Sequence, residues 1–136
     1  MPVASAFDSG PDPTSAPAGD RASAAPVAVL VELQARPETR ASLRDELMMI
    51  SQQWAREPDC LGATVLCDPT DDARFLVLET FASARALIIH RHLPGTRAFA
   101  DRIRRHLTTA PNATTWAVAS QHHDAGQPIH SLGSTS

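Results

Sequence analysis

The chain has 136 residues and a formal net charge of −3 at pH 7, which provides no field for a polyanion and excludes a charge-driven nucleic-acid binder. All its basic residues are arginines and it has no tyrosine, so no phenol is at hand as proton donor or radical carrier. No apolar run reaches the ~18 residues that a membrane helix needs.

Residues 1–26 and 121–136 are rich in Ala, Ser, Pro, Gly and polar residues. Such segments bury too little apolar surface to offset their chain entropy. They are expected to be a disordered N-terminal extension and a flexible C-terminal tail. What remains, 27–120, is one small domain with a thin core. The N-terminus lacks the basic and apolar regions of a signal peptide. Cys60 and Cys67, the only cysteines, form neither a C-x-x-C motif nor a disulfide framework. The expectation is a cytoplasmic protein with reduced thiols.

Residues 27–35, VAVLVELQA, alternate Val27, Val29, Val31 and Leu33 on one face, which predicts a strand. The other face is mixed, so Glu32 and Gln34 are candidates to line a cavity. Pro37 suits the first turn of a helix, placed at 38–56. Leu43, Leu47, Ile50 and Trp54 form its apolar stripe, broadened by Met48. Residues 61–67 and 74–81 read as strands, joined into a hairpin by the turn cluster Asp68–Asp72. In the second of them, Phe75, Val77, Glu79 and Phe81 share a face.

Ser83 is the expected cap of the next helix, which carries Ala86, Leu87 and His90 on one side with Ile89 beside them. Pro94-Gly95 interrupts it. Phe99, Arg102, Ile103 and His106 then continue in helical register. Arg102, Arg104 and Arg105 read as a solvated basic face. Thr114 to Ser120 is a short last strand.

The order strand, helix, strand, strand, helix, strand predicts an α+β fold of the ferredoxin-like split βαβ type (β-α-β-β-α-β). It has a four-stranded antiparallel sheet with two helices on one face. The strands are apolar on both faces, and the helices cover one. A bare apolar face requires a cover, so the expected state is a homodimer through the sheets, with Trp116 in the contact.

The core resembles the antibiotic biosynthesis monooxygenase family. The resemblance rests on Ala35-Arg36-Pro37 after the first strand and on Glu57-Pro58-Asp59-Cys60-Leu61-Gly62 at the entry to the second. It rests also on Phe75-Leu76-Val77-Leu78-Glu79-Thr80-Phe81, then Ser83-Ala84-Arg85-Ala86-Leu87 leading to His90, and on Pro94 and Phe99. It extends over most of 27–120. The chain departs from the pattern in two places. Gly95 stands where the family often has a second histidine, and Phe81 where it often has Trp or Tyr. His92 lies two helical positions from His90, about 200° around the axis, so the rings share a pocket only if the helix breaks early.

The resemblance implies a cofactor-independent monooxygenase that oxidises an aromatic polyketide of anthrone or naphthacenone type to a quinone, with molecular oxygen as co-substrate and no metal. A dry apolar pocket, a proton acceptor and donors for the substrate anion would suffice. His90 is the candidate proton acceptor, against a core or dimer-contact histidine. Trp54 is the candidate to stack on a flat substrate, against plain core. His92, Arg74, Arg91, Glu32, Gln34 and Phe81 are the candidate substrate-binding residues, with Glu79 as a further cavity candidate. Two alternatives stay open: a non-oxidative isomerase or cyclase on the same scaffold, and a small-molecule binding module. The haem-degrading branch is disfavoured, since the first and third strands lack its Asn and Trp. His122, His123 and His130 have no ligand framework around them.

Overall fold

The computed structural model describes residues 25–122. The two expected tails fall almost wholly outside this range, as do His123 and His130. Strand β1 (Val27–Gln34) leads through a 3₁₀ turn (Pro37–Thr39) into helix α1 (Arg40–Trp54). Strands β2 (Cys60–Asp68) and β3 (Asp71–Phe81) follow, then helices α2 (Ala84–His92) and α3 (Pro94–Ile103), a 3₁₀ turn (Arg104–His106) and strand β4 (Asn112–Ala117). The sheet is four-stranded with the order β2-β3-β1-β4, antiparallel at every pairing. This is the expected ferredoxin-like α+β topology.

Alternation decides which face is buried. Val31 is opposite Val77 on one side and Ala113 on the other, and Val77 is opposite Val65. This row faces the helices. The core joins Val29, Val31 and Leu33 to Phe75, Val77 and Phe81, and the helices supply Leu43, Leu47, Trp54, Leu87, Phe99 and Ile103. Burying a side chain of this size contributes about 1.5–3 kcal/mol.

Several boundaries differ from the sequence reading. The α1 stripe is buried at Leu43, Leu47, Ile50 and Trp54, but Met48 is 46% exposed and does not broaden it. The helix stops at Trp54, not 56, because its end tightens: Arg56 N–H donates to Gln53 O and Glu57 N–H to Trp54 O. The β2–β3 turn is shorter than the acidic cluster suggested. Asp68 Oδ1 accepts from both the N–H and the hydroxyl of Thr70, each at 2.8 Å, and β3 already begins at Asp71.

The second helical region is two helices, not one with an interruption at Pro94-Gly95. The break falls at Leu93, whose backbone is extended (φ −65°, ψ 137°). A residue before proline is pushed out of the α region, and Pro94 then opens α3. Within this region Ile89 and Arg102 are exposed, whereas His106 is buried. Strand β4 begins two residues before the expected start and ends at Ala117.

Candidate functional site around His90

The site lies between α1, the end of β3 and α2. Three local features place its residues. Glu79 takes the helix-facing side of β3 by simple alternation between Val77 and Phe81 and is 2% exposed. Ser83 Oγ accepts the Ala86 N–H at 3.1 Å. This cap fixes the start of α2, so that Ala86, Leu87 and His90 turn inward. The segment between α1 and β2 is folded back on itself. Cys60 N–H donates to Glu57 O, and Ala82 N–H donates to Asp59 O. These bonds hold Glu57 beside the end of β3.

His90 is 3% exposed and has a carboxylate at each ring nitrogen. Nδ1 is 2.8 Å from Glu57 Oε1, and Nε2 is 3.2 Å from Glu79 Oε2. The first contact is a hydrogen bond. The second is an ion contact too poorly aligned to be one, so Nε2 and Oε2 are each buried without a hydrogen-bond partner. The ring stands at right angles to Trp54, centroids 4.9 Å apart, and lies tilted on Phe81 at 4.8 Å. Trp54 in turn meets Phe99 edge-on at 5.3 Å.

Burial is the largest influence on the imidazole and disfavours its charged form, but the Glu79 and Glu57 carboxylates together outweigh it. The net result is a pKa above the ordinary 6.5, so the ring carries its second proton more readily than a free histidine. Burial is likewise the main reason that the Cys60 thiol is pushed up.

A cleft of about 90 Å³ opens beside the ring, walled by Glu57, Pro58, Cys60, Phe81, Ile89 and Leu93 among others. Most of this wall is apolar. Its titratable side chains are His90 and Glu57, with Asp59 and Cys60 beside them.

Of the candidates from sequence, His90, Trp54, Phe81 and Glu79 come together here. Glu32, Gln34 and Arg74 do not. They lie on the opposite, outer face of the sheet, where Arg74 pairs with Glu32 at 2.9 Å and Asp68 at 3.2 Å and Gln34 bonds Asp71. These three line a separate cavity of about 190 Å³. His92 points outward and its Nδ1 lies 2.8 Å from Ile88 O. The break at Leu93 comes too late to bring it to His90. Arg91, a candidate substrate-binding residue, is 4% exposed and donates to Thr115 Oγ1, away from the cleft lining. Sequence reasoning missed Glu57 as a site residue. It noticed this glutamate only as part of the Glu57–Gly62 segment, and no periodicity brings residue 57 to residue 90. Among the described residues no cluster of three His, Cys, Asp or Glu forms a metal site, and no helix is long and apolar enough to cross a membrane.

The family model of the antibiotic biosynthesis monooxygenases matches residues 26–102, more than half of the chain. No curated protein matches significantly. Among solved structures, a candidate antibiotic biosynthesis monooxygenase from Deinococcus radiodurans is 27% identical with a TM-score of 0.67, covering 71% of this chain and 96% of its own. A Mycobacterium tuberculosis protein is 23% identical with a TM-score of 0.67, over 72% of this chain and 99% of its own. A candidate antibiotic biosynthesis monooxygenase from Caulobacter crescentus is 20% identical with a TM-score of 0.67, over 74% and 96%. The last two likenesses show the shared fold alone. With its ferredoxin-like α+β topology and the match over residues 26–102, the chain belongs to the antibiotic biosynthesis monooxygenase family.

Proposed function

We propose that this chain is a cofactor-independent monooxygenase that oxidises an aromatic polyketide of anthrone or naphthacenone type to a quinone with molecular oxygen. The observation that carries this reading is the buried His90, held between Glu57 and Glu79 at the wall of an apolar cleft. Such substrates are carbon acids. Loss of a proton gives an electron-rich anion, which reduces dioxygen by one electron. The radical pair combines to a peroxide, and the peroxide loses water to leave a carbonyl. The protein's part is proton transfer, exclusion of water and stabilisation of the anion.

The cleft, at about 90 Å³, is smaller than the ~300 Å³ lower end of small-molecule pockets. It takes the reacting edge of a ring system, with the remaining rings over the lip at Ile89 and Leu93. The same small size favours the alternative, a non-oxidative isomerase or cyclase that uses the same proton-transfer group on a smaller substrate.

The functional unit in this reading is a homodimer. The outer sheet face exposes Leu66 (43%), Leu78 (37%) and Trp116 (59%), next to Leu30 and the groove of about 380 Å³ bounded by Leu66 and Leu76. A second copy seated there removes this apolar patch from water.

The test is oxygen uptake by purified, metal-stripped protein offered a panel of anthrones and naphthols, with an absorbance scan. The expected result is one oxygen consumed per quinone formed by a colourless protein. A product of unchanged mass without uptake replaces the oxygenase with the isomerase or cyclase. Binding without any product leaves a binding module.

A further inference from the structure

Each nitrogen of the His90 ring faces a protein carboxylate. Nδ1 is taken by Glu57 Oε1 at 2.8 Å. Nε2 is buried against Glu79 Oε2 at 3.2 Å. The histidine side chain is 3% exposed, whereas that of Glu57 is 23% exposed, and both line the cleft. A carboxylate has two oxygens and room for about four hydrogen bonds. Glu57 Oε1 is committed to His90, and Oε2 has no hydrogen bond from the described residues, so it is the accessible acceptor. Of the other titratable groups at the wall, the Cys60 thiol is held protonated by burial, and Asp59 is exposed at the rim with its own backbone carbonyl bonded to Ala82 N–H.

We infer that the Glu57 carboxylate, not the His90 imidazole, exchanges the proton with the substrate, while His90 and Glu79 are positioning residues that act through it. This deepens the proposed function and rests on the substrate being a carbon acid. The substrate C–H proton moves to Glu57 Oε2, leaving the C–H electron pair on the substrate anion. The imidazolium donates from Nδ1 to Oε1, fixes the rotamer of Glu57 and places a positive charge next to the anion. Glu79 supplies the buried negative charge that favours the protonated ring.

The proton count closes. The anion gives one electron to dioxygen, and the radical and superoxide form the C–O bond of a peroxide anion. Protonated Glu57 returns its proton to that anion. The Glu57 carboxylate then removes the remaining C–H proton, the C–H electrons form the carbonyl, and the O–O bond breaks. The departing hydroxide takes the proton as water. One methylene and one dioxygen become one carbonyl and one water, with Glu57 unchanged.

Anaerobic hydrogen–deuterium exchange at the anthrone methylene, followed by mass spectrometry in deuterated buffer, isolates the proton step from oxygenation. Wild type is expected to accelerate exchange. Glu57→Ala and the isosteric Glu57→Gln are expected to lose about 100-fold, the lower end of what a positioned base contributes. Sodium formate is expected to restore at least tenfold in Glu57→Ala, which a merely structural role for Glu57 does not allow. Exchange within threefold of wild type in Glu57→Gln, or no response of Glu57→Ala to formate, overturns the assignment. Wild type that exchanges the proton but consumes no oxygen defeats the oxygenase reading and leaves the assignment of Glu57 standing. Wild type that does not accelerate exchange defeats both.

Discussion

Glu79 Oε2 and His90 Nε2 are 3.2 Å apart, with neither atom reached by solvent nor in a formed hydrogen bond. A buried ion contact of this kind is an uncertain source of net stability, since desolvation offsets most of the attraction. Breaking it from one side is a different matter. The remaining charge is then buried without its counterion.

His90→Leu is therefore expected to cost about 3–5 kcal/mol, because it leaves the Glu79 carboxylate among apolar neighbours. His90→Leu combined with Glu79→Leu is expected to recover most of that loss. Urea unfolding of the two single variants and the double variant gives the coupling directly. Equal and additive losses would show that the two groups do not act as a pair.

The same contact sets a pH dependence. The folded pKa of His90 lies above 6.5, so its contribution to stability is complete below that unfolded value. It is lost as pH rises through the folded value. The stability of wild type is expected to fall over this window, and Glu79→Gln to flatten the fall. Proton NMR of the ring gives the folded value independently, and a midpoint at or below 6.5 contradicts the arrangement.

Ile89 sits at the mouth of the cleft and is 54% exposed. Its truncation to Ala is expected to change stability by no more than about 0.5 kcal/mol, as at other surface sites. The KM for an apolar aromatic substrate is expected to rise several-fold with little change in kcat. Steady-state kinetics with thermal melts separates this from a folding defect.

Leu78 lies on the outer face, opposite Leu30 in β1 and Thr64 in β2. Leu78→Glu places a charge in the middle of the apolar patch and is expected to convert a dimer to a monomer while the domain stays folded. Sedimentation velocity with circular dichroism reads both. A wild-type monomer at micromolar concentration removes the case for the sheet-to-sheet dimer.

Leu47→Ala, at a fully buried position on α1, tests the helix-to-sheet core. The expected loss is about 2–5 kcal/mol, the range for truncating a large aliphatic side chain without collapse of the cavity. Chemical denaturation provides the number.

Local patterns in the chain were enough to place the four strands and the first helix in order and to mark the start of the second, though not its division into two helices at Leu93. The two-residue alternation of β1 and β3, the stripe Leu43–Leu47–Ile50–Trp54 and the Ser83 cap each arise from neighbours within a few residues, and together they leave one topology. The alternation even put Glu79 on the row of Phe75, Val77 and Phe81, a carboxylate in an apolar series. What local patterns cannot contain is a meeting of residues from separate elements. Glu57 lies 33 positions from His90 in a segment with no periodicity, and only the return of β3 and α2 against the end of α1 brings them together. Arg74, Glu32 and Gln34 line a cavity, but not the one beside His90. Their residue types suit a binding site, but strand parity puts them across the sheet from it. The sequence determined which strand side chains point inward. The packing of α1, β3 and α2 decided which inward-pointing groups touch, and so which histidine stands between two carboxylates rather than in plain core.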